Sequence, residues 1–199
     1  MNNTPPVTGC TQYNGIKCSQ HHSFAPTFIE FLKDQQFTHI LEIGTYHGGF
    51  TAFIHDNIEK NTKFWSFDVV NQVEHDTLRQ LGIMIFIRNI FNYNMSDIVD
   101  SPTINFLREP GKKLIMCDGG NKIFEFNCLA KYLNVGDFIM AHDYSDSVEY
   151  FESDLRGKVW NWCEIVEKDI SVASDKCGLE FYNQEEFQKI VWVCKTKSK

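Results

Sequence analysis

The chain has 199 residues, of which 43% are hydrophobic and 23% charged, and its formal net charge is −7. That length suits one domain with a full core, and the composition is that of an ordinary globular protein. The acidic balance argues against nucleic acid as the main partner, since phosphate binding needs clustered Lys and Arg, and no apolar run reaches the length of a membrane span.

Residues 1–22, with Pro5, Pro6, Gly9 and Gly15, are expected to form an irregular leader, and 23–199 a single domain. The opening MNNTPPVTG lacks the charged and apolar regions of a signal peptide, so a cytoplasmic location is expected. A helix is predicted in SFAPTFIEFLKDQ, with Ser23 as its cap and Phe24, Phe28, Phe31 and Leu32 on one face. From there strand-like runs alternate with helical ones. The strands are FTHILEI, KFWSFDVV, IMIFIRN, KKLIMCD and DFIMAHD; the helices fall at 49–59, 73–80, 101–109 and 121–133. Ser101 and Pro102 read as a cap followed by a first-turn proline. In the helix after Asn121, Phe124, Cys128, Leu129, Tyr132 and Leu133 form a core stripe.

Strands separated by helices imply an α/β fold, a mostly parallel sheet with helices on both faces. The rhythm breaks near the end, where CEIVEKDI, GLEFYN and KIVWVCKTK follow with little helix between them. Two of these three runs are expected to close the sheet as an antiparallel hairpin. The 17 phenylalanines point to an aromatic core. The cysteines are odd in number and contain no C-x-x-C pair, and Cys117, Cys128 and Cys194 lie in apolar runs; they read as reduced thiols packed as small hydrophobes.

Chemistry concentrates in HILEIGTYHGGFTAFIHD, where three glycines and Glu42 separate a strand from a helix. Open parallel sheets bind ligands beyond the carboxyl ends of their strands, and Glu42 to Gly49 lies at that edge. Gly44 turns the chain off the strand, and Gly48 and Gly49 allow backbone to approach a ligand at the start of a helix. The spacing E-x-G-x-x-x-G differs from the G-x-G-x-x-G of dinucleotide binders: Tyr46 stands where a middle glycine would admit a pyrophosphate. Asp68 closes the second strand, placed to hold two ribose hydroxyls. Glu42 is placed for the cationic amino-acid end of a ligand, directly or through water. This pairing suits S-adenosylmethionine better than NAD.

The successive pieces ILEIGTYHGGFT, FWSFD, KLIMCDGGNK and VGDFIMAHDY resemble the motifs of class I S-adenosylmethionine-dependent methyltransferases. The closer likeness is to the branch of cephalosporin hydroxylase-like proteins and macrolide or rhamnosyl O-methyltransferases, and it covers roughly Phe24 to Tyr144. The resemblance implies a Rossmann-like seven-stranded sheet, a cofactor at the first two strand ends and a divalent metal beside it. On that reading Glu42, Gly44, Thr45, Tyr46, Gly48, Asp68, Asn89 and Asp118 are the candidate cofactor contacts.

Asp118 ends the fourth strand, and His142 and Asp143 end the fifth. The three side chains can converge as ligands for magnesium or manganese, lowering the pKa of a substrate hydroxyl. The family pattern has a carboxylate where this chain has His142, and imidazole shifts preference towards manganese, iron or zinc. Without a metal, a general base is needed; His142, Lys122, His21 and His22 are the candidates, with Asp143 beside them in the catalytic set. Trp160 and Trp162 read as core. Tyr144 either lines the acceptor pocket or packs beneath the last helix.

The expected activity is metal-assisted O-methylation of a small molecule or sugar. The alternatives are a metal-dependent hydroxylase-like enzyme on the same fold and a non-catalytic S-adenosylmethionine-binding relative. An NAD oxidoreductase would need a glycine at Tyr46. Edge strands near the C-terminus permit a homo-oligomer.

Overall fold

A computed structural model describes residues 9–73, 75–94 and 96–199. Its centre is a seven-stranded sheet built from β3 (His39–Ile43), β4 (Lys63–Asp68), β5 (Met84–Ile87), β6 (Lys113–Cys117), β7 (Phe138–Ala141), β10 (Leu179–Phe181) and β11 (Val193–Lys197). Their spatial order is β10-β11-β7-β6-β3-β4-β5. Strands β3 to β7 pair in parallel, and β11 runs antiparallel to both neighbours.

Every residue of β3, β6 and β7 is buried, as continuous apolar runs covered on both faces must be. Alternate residues of each strand serve different cores. Ile40, Met116 and Met140 join one, with Phe24, Phe28, Phe31, Phe50, Phe53 and Trp192. Leu41, Cys117 and Ala141 join the other, with Phe67, Phe106, Phe126 and Leu129. Helices α1 (Phe24–Gln35) and α2 (Gly49–Asp56) supply the first core; α4 (Ser101–Arg108) and α5 (Lys122–Leu129) supply the second. The aromatic surplus is therefore spent mainly on one face, where Phe28 meets Phe24, Phe50, Phe187 and Trp192 edge-on.

Several expectations are corrected. The leader is not irregular over its described part: β1 (Gly9–Tyr13) and β2 (Ile16–His21) form an antiparallel hairpin. Asn14 and Gly15, both at positive φ, make its two-residue turn, and Ile16, Cys18 and Gln20 alternate inward. Residues 1–8 lie outside the described residues, as does the side chain of Cys10. The helix expected at 73–80 is α3 (His75–Gln80). Asp100, not Ser101, caps α4, accepting from the Thr103 amide at 3.0 Å. Ser23 makes no cap bond to α1 and instead meets His21 Nδ1 at 2.8 Å.

The helix after Asn121 ends at Leu129, and a single 3-10 turn carries the chain to Tyr132. CEIVEKDI contributes only the short strand β9 (Ile165–Val166), which pairs in parallel with β8 (Tyr144–Ser145). Helix α7 (Glu167–Cys177) then begins, because Asp169 accepts from the Val166 amide at 2.9 Å. A short helix α6 (Val148–Tyr150) follows β8, and α8 (Gln184–Gln188) separates the two strands of the closing antiparallel pair. The free thiols include the fully buried Cys117 and Cys194. Among the described residues no helix is long and apolar enough to cross a membrane.

Candidate active site at the carboxyl edge of the sheet

The chain leaves β3 to build β4 and β5 on one side, then returns to build β6 and β7 on the other. The crevice at that reversal, beyond the strand tips, is where open α/β sheets place ligands. Two clefts open there. One, of about 360 Å³, is lined by residues including Gly44, Tyr46, Asp68, Arg88, Asn89 and Asp118. Its neighbour, of about 290 Å³, is lined by residues including Gln20, Thr45, Lys122, His142, Asp143 and Trp162. Gly44, Tyr46 and Asp118 line both, so the two spaces meet at the tips of β3 and β6.

Gly44 is required at that junction. Its φ is +96°, and a Cβ there would stand 2.2 Å from the Asp118 carbonyl oxygen. Its amide donates to Phe67 O at 2.7 Å, fastening the turn to β4. Tyr46, also at positive φ, donates its amide to Asp68 Oδ2 at 2.7 Å, and the Val70 amide donates to Asp68 Oδ1 at 2.9 Å. These bonds fix the Asp68 carboxylate at the rim of the first cleft. Asn89 faces the same cleft while its Oδ1 accepts from the Phe91 amide at 2.9 Å.

Among the described residues, two of the expected cofactor contacts, Glu42 and Gly48, line neither cleft. Strand alternation turns Glu42 towards α2, where its Oε2 accepts from Thr51 at 2.7 Å and from Ser66 at 2.5 Å. It is fully buried, its Oε1 has no hydrogen-bond partner among the described residues, and burial pushes its pKa up to about 8. Gly48 serves packing: at φ +96° a Cβ would meet Leu78 Cδ1 at 2.2 Å. Thr45 is buried against Ser66 (2.6 Å between hydroxyls) and lines the second cleft.

The second cleft holds a charged cluster. His142 Nδ1 lies 3.0 Å from Asp118 Oδ1, leaving Nε2 buried with no hydrogen-bond partner among the described residues. The imidazole stacks on Trp192 with ring centres 4.8 Å apart. Burial alone would lower the His142 pKa; the carboxylates of Asp118 and Asp143 outweigh it and hold it raised. Asp143, at φ +55°, accepts from Trp160 Nε1 at 2.5 Å and pairs with Lys122 at 2.9 Å. Burial would raise the Asp143 pKa, and His142 and Lys122 bring it below the usual value. Lys122 also meets Glu164 Oε2 at 2.7 Å and Gly119 O at 3.1 Å. Burial opposes its charge, yet the surrounding carboxylates raise its pKa well above the lysine norm. Lys122 is thus a fixed ammonium, and its expected use as a general base is set aside.

His21 and His22 line neither cleft among the described residues; burial and the neighbouring histidines lower the His21 pKa to about 4. Tyr144 packs in the second core, its hydroxyl donating to Asp146 at 3.1 Å. Trp160 is buried as expected, but Trp162 is 55% exposed and stands on the cleft wall.

The chain matches no family model and no curated protein. Solved structures do match. CmcI superposes in its apo form with a TM-score of 0.63 at 13% identity, over 94% of this chain and 76% of that one. CmcI with SAH gives 0.62 at 10% identity, over 94% and 82%. An S-adenosylmethionine-dependent methyltransferase from Clostridium acetobutylicum gives 0.52 at 11% identity, over 88% and 91%. The fold is that of a class I S-adenosylmethionine-dependent methyltransferase. An O-methyltransferase family protein from Burkholderia thailandensis also matches, with a TM-score of 0.57 at 10% identity, over 88% of this chain and 57% of that one. The chain therefore spans just over half the length of the Burkholderia protein.

Within this methyltransferase fold, the spacing of the expected metal ligands is suitable and their surroundings are not. Ligand atoms of Asp118, His142 and Asp143 lie within 4.8 Å of one another. Each carboxylate oxygen already accepts a bond: Asp118 Oδ1 from His142, Asp118 Oδ2 from Gln20, Asp143 Oδ1 from Trp160 and Asp143 Oδ2 from Lys122. To enter this arrangement a divalent ion would have to displace the Lys122 ammonium from Asp143 Oδ2. Sequence reasoning missed Gln20, Glu125 and Glu164. Glu125 accepts from the Gly119 and Asn121 amides, each at 3.1 Å, and so shapes the CDGGNK turn. Its position in the first turn of α5 was the available signal.

Proposed function

We propose that the chain is an S-adenosylmethionine-dependent O-methyltransferase acting on a hydroxyl of a small molecule or sugar. The observation that carries the reading is the pair of clefts meeting at Gly44, Tyr46 and Asp118. The first cleft suits the cofactor: Asp68 faces the ribose hydroxyls, Asn89 and Phe91 flank the adenine side, and the methyl group points across Asp118. The second suits the acceptor, with Trp162 as an aromatic wall.

In the transfer the bond from sulfonium to methyl breaks as the bond from acceptor oxygen to methyl forms, and S-adenosylhomocysteine leaves. Holding the two reactants in line across the junction is the protein's main contribution. The hydroxyl proton passes to the His142–Asp118 pair, which lines the second cleft and in which Asp118 Oδ1 holds the ring at Nδ1. The Lys122 ammonium supplies positive charge beside the developing oxyanion. The matching CmcI structure with SAH supports the cofactor assignment.

The test is calorimetry with S-adenosylmethionine and NAD, followed by transfer of labelled methyl to a panel of hydroxylated small molecules and sugars. S-adenosylmethionine binds and NAD does not. Asp68→Ala loses roughly 10- to 100-fold in affinity, the worth of charged hydrogen bonds to two hydroxyls. Undiminished binding by Asp68→Ala would remove the cofactor pose.

A further inference from the structure

The charged cluster of the second cleft has the geometry of a metal centre and the contents of an ion-pair network. Two carboxylates and an imidazole converge within 4.8 Å, yet both carboxylates already face a cationic side chain. Lys122 Nζ lies 2.9 Å from Asp143 Oδ2 and 3.7 Å from Asp118 Oδ1. An ammonium has three donors. Here Asp143, Glu164 and the Gly119 carbonyl take them, and the side chain is only 5% exposed.

The backbone makes this placement deliberate. Asn121 caps α5 by accepting from the Phe124 amide at 3.2 Å, so Lys122 is the first residue of the helix. A cation at a helix N-terminus opposes the helix dipole and is unfavourable there unless anions face it. Three do. Because helical side chains lean back towards the N-terminus, that of Lys122 leaves α5 over the tips of β6 and β7 and not along the helix surface.

We propose that the Lys122 ammonium takes the place of the divalent cation, so that this chain binds no metal and handles its acceptor with a fixed organic charge. The inference rests on the acceptor site proposed above. His142 is the matching change: where the related pattern has a third carboxylate, this chain has an imidazole whose Nδ1 is directed at Asp118 and whose charge is neutral or positive. A centre with one anion fewer and one built-in cation needs no dication for balance. Gln20 and Trp160 complete it by donating to the two outward carboxylate oxygens, at 2.9 and 2.5 Å. A metal entering the cluster would have to expel Lys122 from Asp143 Oδ2.

The test titrates the full chain with manganese and follows free ion by electron paramagnetic resonance, with thermal melting alongside. The parent leaves millimolar manganese free and its melting temperature unmoved by manganese or magnesium, and EDTA leaves S-adenosylmethionine affinity unchanged. Lys122→Met, which keeps the stem and removes the charge, binds manganese at least 10-fold better than the parent, and adding Asp143→Asn abolishes the gain. Retention of manganese by the parent would overturn the proposal, and that measurement needs no variant. Lys122→Met, or Lys122→Gln should the first fail to fold, showing no gain would overturn it as well. Failure of the parent to bind S-adenosylmethionine strikes the proposed function and leaves the manganese result to be read separately.

Discussion

Glu42 carries the largest conflict between a residue and its surroundings. It sits on the central strand, fully buried, with two hydroxyls on Oε2 and, among the described residues, nothing on Oε1. Burial outweighs those bonds and raises its pKa from 4.5 to about 8. In the unfolded chain the carboxyl loses its proton near 4.5, whereas the folded protein holds it up to about 8. Between those values the unfolded state binds fewer protons, so stability falls as pH rises. The contribution is full below 4.5 and lost on passing through about 8. At its limit it is on the order of 4–5 kcal/mol. Glu42→Gln keeps the acceptor for Thr51 and Ser66 and cannot ionise. Its stability is therefore expected to change less with pH between 5 and 8, by about 3–4 kcal/mol across the window, as read from melting curves. Melting curves that run parallel to those of the parent would show that Glu42 is not the group responsible.

At the scale of elements, the hairpin β1–β2 does more than cover the sheet. Gln20 reaches down from it, its Nε2 donating to Asp118 and its Oε1 accepting from Trp192 Nε1, both at 2.9 Å. It thereby ties the leader to the Asp118 carboxylate and to Trp192, which precedes β11. The backbone of β2 also passes so close to α2 that a Cβ on Gly49 would meet Lys17 O at 2.5 Å. Gln20→Ala strands the buried Trp192 indole N–H and a half-buried Asp118 oxygen and is expected to cost about 1–3 kcal/mol in urea unfolding. It also weakens S-adenosylmethionine binding, because Asp118 loses a positioning bond. A loss under about 0.5 kcal/mol would mean that water replaces the amide. Little of this was legible. The hairpin had its signal in Asn14-Gly15 between alternating residues, outweighed by the prolines just before it. The helix α7 was hidden because Ile165, Val166 and Ile170 read as strand, and its start depends on the Asp169 side chain bonding backward. The central strands were legible because double burial leaves long apolar runs, and the glycine turn because φ near +96° at Gly44 admits little else. The convergence of Asp118, His142 and Asp143 followed from strand order. The ion pair of Lys122 with Glu164 did not, since nothing in the sequence brings residue 164 to the first turn of α5.

Over the whole molecule, the strand order puts all of the proposed chemistry at one end of the sheet. Gly44, Asp68, Asn89 and Asp118 follow β3, β4, β5 and β6, while the opposite edge carries Glu109, Lys112 and Asp137 around a third, shallower space. A cofactor spanning the first cleft would bridge four strand ends, adding to bonds such as that of the Tyr46 amide to Asp68. Its binding energy must then appear as folding stability: at 100 times Kd the gain is about 2.7 kcal/mol. For a chain of this size that corresponds to a rise in melting temperature of roughly 5–10 °C. Hydrogen exchange locates the gain. With S-adenosylmethionine present, slower exchange is expected in the loops at 44–48, 68–72, 88–91 and 118–121, and no change at 108–112 or 134–137. Slowing at the latter pair, with the first four loops unaffected, would put the ligand at the wrong edge of the sheet. The switch-point argument would then fail together with every residue role drawn from it.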